Sequence, residues 1–340
     1  MSDPPPAHGA LPRIGAPLVA RHSSLVALQP PRTFVLIVTG ASGEPAYAER
    51  FERVGATLVD ALRERADLPA AQVTWLAENP ARDAQRIAGR SAKADVEAAL
   101  ARLAAQAREG DQVLVVLVGH GSNEGPESRF NLPGPDITAA ELGTRLDAVR
   151  GARVAVVNAA SAGGDFVPVL AQRGRIVVSA TKTAYERNET RFAEFFAQAF
   201  AGDGADVDKD GAVSLLEAFD FARQEVARLY ERDRHLLTEH AVLDDDGDGS
   251  GSLEPGAQAK DGRLADAFVL GGATVAAAAS SDPRVAALAA EKAALERQVA
   301  DLRARKAGMD STAYERELER LLLALAQKTQ ELRAAEARKP

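Results

Sequence analysis

Val113-Leu114-Val115-Val116-Leu117-Val118 runs without a break into Gly119-His120-Gly121-Ser122, and Val154-Ala155-Val156-Val157 runs into Asn158-Ala159-Ala160-Ser161-Ala162-Gly163-Gly164. An apolar run with no polar alternation suits a strand buried on both faces, the environment that a parallel sheet covered by helices supplies. Both runs stop at glycine and other small residues, the composition of tight strand-end turns. To either side, short β-branched runs alternate with helical periods, which predicts an α/β fold with a parallel sheet. Phe34 to Thr39, Val73 to Leu76 and Ile176 to Ser179 bring the expected strands to at least five. Tyr47, Phe51, Val54, Leu58 and Leu62 fall at helical steps, as do Val96, Leu100 and Leu103. Thr138-Ala139-Ala140-Glu141 reads as a capping box opening a further helix. Phe192, Phe195, Phe196 and Phe200 form one buried helical stripe, and Leu216, Phe219, Val226 and Tyr230 mark another.

Composition narrows the function. The 340 residues hold 41 basic and 49 acidic side chains, a net charge of -8, and no cysteine. Disulfide frameworks, thiolate zinc sites and cysteine nucleophiles are therefore excluded. Nucleic-acid binding is not expected, because neutralising phosphates requires clustered Lys and Arg and no such patch is visible. The best candidate for a membrane span, Ala267 to Ala279, is too short and is interrupted by Gly271 and Gly272. Residues 1–31 carry Pro4-Pro5-Pro6, Pro12, Pro17, Pro30 and Pro31 with no sustained period, and are expected to be a disordered arm. They lack the basic and apolar regions of a signal peptide, so the default location is cytoplasmic unless the true start lies upstream.

From 281 to 338 the pattern changes to heptads. Asp282-Pro283 makes an N-cap and first-turn pair, followed by Val285, Leu288, Leu295, Val299 and Leu302. After a turn near Gly308 to Ser311, Thr312 and Glu315 read as a capping box ahead of Tyr314, Leu318, Leu321, Leu325 and Leu332. The expectation is an antiparallel helical hairpin, with helices of about 25 residues and about 37 Å, that folds back on the body or mediates self-association.

Asp206-Val207-Asp208-Lys209-Asp210-Gly211-Ala212-Val213-Ser214-Leu215-Leu216-Glu217 fits the EF-hand calcium loop at each diagnostic place. Carboxylates at Asp206, Asp208 and Asp210 offer hard oxygen ligands, and Gly211 permits the sharp turn. The Ala212 carbonyl and Ser214 extend the ligand set, and Glu217 closes it bidentately. Val213 is the apolar residue expected to tuck the loop against the protein. Gly202-Asp203-Gly204 predicts that the entering helix stops short, leaving a calcium loop rather than a paired EF-hand. A second turn, Asp244-Asp245-Asp246-Gly247-Asp248-Gly249, repeats the first half with Asp244, Asp246 and Asp248, but its twelfth place is Pro255 and Glu254 falls one residue early. It is either a second, irregular calcium site or a solvated turn. Residues 203–263 hold 16 acidic and 7 basic side chains, a net of -9, and a bound cation would relieve that repulsion.

A buried strand entering a Gly-His-Gly turn, with a second strand entering a small-residue turn about 40 residues later, resembles the caspase and legumain class of cysteine peptidases. Gly110-Asp111-Gln112-Val113 ahead of the histidine strand, and Ser179-Ala180-Thr181-Lys182 with Tyr185-Glu186, are similar to legumain-like sequences. The resemblance spans roughly Thr33 to Gly271, within a domain expected over 32–272. It implies a caspase/legumain-like parallel-sheet sandwich with helices on both faces. It also implies that His120 matches the general acid/base, Gly121 the N–H donor of the oxyanion hole, and Ala160 the place of the nucleophilic cysteine. A methyl group cannot attack a carbonyl, so the covalent route is closed at that position; a deliberate cysteine-to-alanine exchange would leave the same sequence.

Three readings follow. The first is an inactive, calcium-binding peptidase homologue that takes a peptide or protein ligand at the former cleft. The second is a hydrolase using His120 with Ser161, the nearest hydroxyl, although neighbours on an extended strand end point to opposite sides. The third is an assembly scaffold acting through the hairpin. His120 could equally be a hydrogen-bonded structural residue, and His235 and His240 read as surface or capping residues.

Overall fold

A computed structural model of the chain describes residues 31–124, 127–209, 211–270, 284–285, 288, 291–292, 295, 299, 302 and 310–336. The N-terminal arm up to residue 30, Asp210, the Asp282-Pro283 pair and the 271–279 part of the apolar run lie outside the described residues. In chain order the first elements are β1 (Thr33–Thr39), α1 (Pro45–Glu64), β2 (Val73–Ala77), β3 (Ile87–Arg90), α2 (Lys93–Gln106) and β4 (Gln112–Val118). Then come β5 (Gly121–Glu124), β6 (Glu127–Phe130), β7 (Ile137–Thr138), α3 (Ala139–Leu146), β8 (Arg153–Asn158), α4 (Phe166–Leu170) and β9 (Arg175–Ser179). The rest are α5 (Phe192–Ala201), β10 (Val213–Ser214), α6 (Leu215–Arg232), β11 (Val242–Asp244), α7 (Arg263–Asp266), β12 (Val269–Leu270) and α8 (Ser311–Glu336).

The chain is a mixed α/β protein with a mostly parallel sheet flanked by helices on both faces. The central sheet has the order β11-β9-β8-β4-β1-β2-β3. Its pairs are parallel except at one edge, where β11 runs antiparallel to β9. All seven residues of β4 are buried, as its unbroken apolar run requires. Side chains alternate between faces. Val35, Ile37, Leu114, Val116 and Val157 pack under α1, α5 and α6, while Leu36, Val38, Val113, Val115 and Val156 pack under α2, α3 and α4. Thr138 and Glu141 form the expected capping box on α3, and Ser214 with Glu217 forms a second one on α6. α5 ends at Ala201, before the Gly202-Asp203-Gly204 break.

Two small sheets lay outside the sequence expectation: β5-β6-β7, and β10 paired with β12. Among the described tail residues, 284–285, 288, 291–292, 295, 299 and 302 are helical. Val299 and Leu302 pack with Tyr314 and Leu321 of α8, and Lys328 pairs with Glu291 at 2.7 Å. The second tail helix starts earlier than Thr312. Asp310 caps it, its carboxylate accepting from the Ala313 N–H at 2.9 Å, while Glu315 accepts from the Ser311 hydroxyl. Aspartate is the stronger acceptor for a helix N-terminus, so it displaces Thr312 in that role. Among the described residues no helix is long and apolar enough to cross a membrane.

Candidate functional site

Parallel register carries the ends of β4 and β8 to the same edge of the sheet, with Leu117 opposite Asn158. His120 leaves β4 half-buried. Its ring meets Tyr47 edge-on at 4.5 Å and Phe51 at 5.2 Å, both on α1. Burial lowers its pKa, opposed by a hydrogen bond to the Ser42 backbone and by the charge of Glu189. Glu189 is itself held by Arg50 at 2.9 Å. The imidazole is thus biased toward the neutral form, which can accept a proton.

Position 160 brings no nucleophile to it. Ala160 is 0% exposed and belongs to the core under α2, α3 and α4, whereas His120 packs on the α1 side. The group brought to Gly121 is Ser161, 4% exposed, whose hydroxyl oxygen accepts from the Gly121 N–H at 3.4 Å. The amide assigned by resemblance to an oxyanion hole therefore faces a protein hydroxyl. Among the described residues no hydrogen bond joins Ser161 to His120. Close approach alone explains Gly121, because a Cβ there would lie 2.2 Å from the Ser161 carbonyl oxygen.

Beyond Asn158, where β8 ends, Ala160 enters the core under α2, α3 and α4 while Ser161 meets Gly121, so the two neighbours face different surroundings. Ala162 takes a left-handed conformation with φ of 52° and donates its N–H to the Glu186 carbonyl at 2.8 Å. Asn158 accepts from the Ala160 N–H at 3.2 Å, and Thr181 accepts from the Gly163 N–H at 2.8 Å. These bonds pin the turn. A left-handed alanine costs roughly 1 kcal/mol relative to glycine, but the Ala162 methyl is 1% exposed, and losing its burial costs about 0.8 kcal/mol. Ala162→Gly is therefore expected to leave the melting temperature within a few degrees of the unmodified chain's, and a drop of about ten degrees or more in calorimetry would contradict a left-handed residue there.

Loop residues 181–187 connect this turn to the far sheet edge. His240 lies 2.7 Å from Glu186 through Nδ1, so it bridges two loops rather than capping a helix, while His235 is exposed. The sequence offered no spacing that would pair positions so far apart.

Two acidic clusters could hold a metal ion. Asp206, Asp208 and Glu217 each offer a carboxylate oxygen within 4.8 Å of the others, and so do Asp244, Asp246 and Asp261. Two ligands about 2.4 Å from one calcium ion lie at most about 4.8 Å apart, and both clusters meet that limit. In the first loop the Asp206 carboxylate accepts from the Gly211 N–H at 3.1 Å, and Val213 is buried against Leu270 of β12. Ser214 accepts from the Glu217 N–H at 3.1 Å as the cap of α6. Ala212 is buried, and Asp210 lies outside the described residues.

The second turn departs from its expected ligands. Asp261, 2% exposed, joins Asp244 and Asp246, while Lys260 pairs with Asp248 and, at 3.4 Å, with Asp246; Glu254 takes no part. Burial pushes the Asp244 and Asp261 carboxyls above the usual carboxylate range, with neighbouring aspartates adding to it. A divalent cation would oppose that shift.

The sequence matches no protein-family model, and no curated protein matches it. Among solved structures the chain is similar to drICE, a caspase, at 12% identity over 63% of this chain and 87% of that one, with a TM-score of 0.38. It is also similar to protein GSU0716 from Geobacter sulfurreducens, at 14% identity over 63% of this chain and 93% of that one, with a TM-score of 0.40.

Proposed function

We propose that the chain is a calcium-binding homologue of the caspase/legumain class that does not cleave peptides and acts by binding protein partners. The observation that carries this is the closed strand end, where Ala160 is wholly buried and the Ser161 hydroxyl occupies the Gly121 N–H. Peptide cleavage by the covalent route requires a nucleophile about 3 to 3.5 Å from the carbonyl. Position 160 supplies neither the atom nor access. General acid/base assistance from His120, worth roughly 10² to 10⁴ in rate, has no partner to act on.

In this reading residues 32–272 form the folded body, 1–31 an arm and 281–338 a hairpin available for self-association. Leu322 and Leu323 of α8 are exposed and support that last role. The two acidic clusters support calcium, which would neutralise the local charge and hold the loops.

Ala160→Cys tests whether only an atom is missing. The expected product is inactive, and its thiol alkylates slowly while folded and readily once unfolded, because the site is covered. Peptide cleavage by this variant, or alkylation as fast as that of a free thiol, would contradict a closed site.

A further inference from the structure

The two acidic loops are separate in sequence, yet a single stretch of chain joins them. Residues 261–270 begin at Asp261, a member of the second cluster, and end at Leu270, which pairs with Val213 inside the 206–217 loop. Both ends of the stretch are fastened. At its start the Asp261 carboxylate accepts from the N–H groups of Asp245 at 3.1 Å and Asp246 at 3.4 Å. The buried Asp245 carboxylate in turn accepts from Gly262 at 2.9 Å, Leu264 at 2.7 Å and Ala265 at 3.0 Å, which holds α7 against the second loop. At the far end the Leu215 N–H donates to the Phe268 carbonyl at 2.8 Å, and Ser214 pairs with Val269.

The span between these ends is packed. Ala265 and Phe268 are fully buried, in one core with Leu215 and Leu270. Among the described residues β10 is the only strand that β12 pairs with, so the first loop supplies its whole ladder. A close-packed stretch transmits a displacement instead of absorbing it. An ion that fixes the carboxylates of either loop therefore orders one end of the same stretch, and the ion arriving second has less left to order.

We propose that the two loops bind calcium cooperatively, with α7 and β12 as the connection between them. The chain then responds to calcium over a narrower range of concentration than two separate sites would. This rests on the calcium reading above and adds a coupling to it. The coupling is reciprocal, each ion tightening the other by the same factor, with about 5- to 150-fold being usual between linked sites.

The test titrates calcium chloride into the full, metal-stripped chain by calorimetry. Two bound ions with a Hill coefficient above one are expected. Glu217→Gln and Asp261→Asn each disable one loop and leave the other its full ligand set, so each variant supplies a one-ion binding constant. The two-ion constant of the unmodified chain should exceed the product of those two at least about fivefold. Leu270→Ala, outside both ligand sets, should bring the Hill coefficient towards one. Hydrogen exchange reads the connection directly: in Glu217→Gln, calcium at the second loop should still slow the amides of 268–270. Two ions whose constant equals the product, or exchange at 268–270 that calcium leaves unmoved, would overturn the coupling while the calcium reading stands. A single bound ion would overturn it too and confine calcium to one loop. No bound ion at millimolar calcium would sink the coupling and the calcium reading together.

Discussion

In saturating calcium the chain is expected to melt several degrees higher than in chelator. A ligand at about 100 times its dissociation constant stabilises the native state by about 2.7 kcal/mol per site. For a body of this size that corresponds to a rise of roughly 5 to 10 °C. Glu217→Gln should remove most of the effect at the first loop, and Asp261→Asn most of it at the second. Glu217 has a second duty, however, since its carboxylate accepts from the Val207 N–H at 2.9 Å and the Ser214 N–H at 2.8 Å. Glutamine keeps one acceptor oxygen, so the variant loses stability even without metal. The informative quantity is the difference between calcium and chelator for each protein. Superimposed melting curves for the unmodified chain across millimolar calcium would exclude both clusters as functional calcium sites.

Glu239 should make stability fall as pH rises through neutrality. Burial pushes its carboxyl up to about 7, outweighing the N–H bonds from Arg191 and Phe192 that hold it down. The folded state therefore keeps this proton more tightly than the unfolded chain, whose carboxyl titrates near 4.5. The stabilisation is fully present below about 4.5 and is lost as pH rises through about 7. That interval corresponds to roughly 3 kcal/mol. Glu239→Gln cannot titrate, so urea melts at a series of pH values should show it gaining about that much on the unmodified chain between pH 4.5 and pH 8. Parallel profiles would mean that Glu239 does not change its protonation in that range.

The parallel core was legible because β1, β2, β4, β8 and β9 are written as apolar runs that periodicity detects. β3 escaped notice because Ile87-Ala88-Gly89-Arg90 holds a single large apolar residue and owes its extension to pairing with β2. β11 has only three residues and depends on β9 in the same way. Local pattern was enough to expect Asp206, Asp208 and Glu217 together, because all three lie within one turn and a helix start. It failed for Asp261, because the chain from Gly249 to Lys260 loops out before returning an acid to Asp244 and Asp246. The place of the Ser161 hydroxyl at the Gly121 N–H was not legible for a related reason: the left-handed Ala162 turns the chain beyond the end of β8. Sequence patterns report neighbours along the chain, whereas this turn is built by Thr181 and Glu186 from another loop.

The proposal that the chain does not cleave peptides is most directly tested by incubating the unmodified chain with a broad peptide library, in calcium and in chelator, and analysing the products by mass spectrometry. The closed strand end predicts the same peptides as in the protein-free control under both conditions. Calcium-dependent cleavage that disappears in Ser161→Ala would contradict it and make the chain a serine hydrolase.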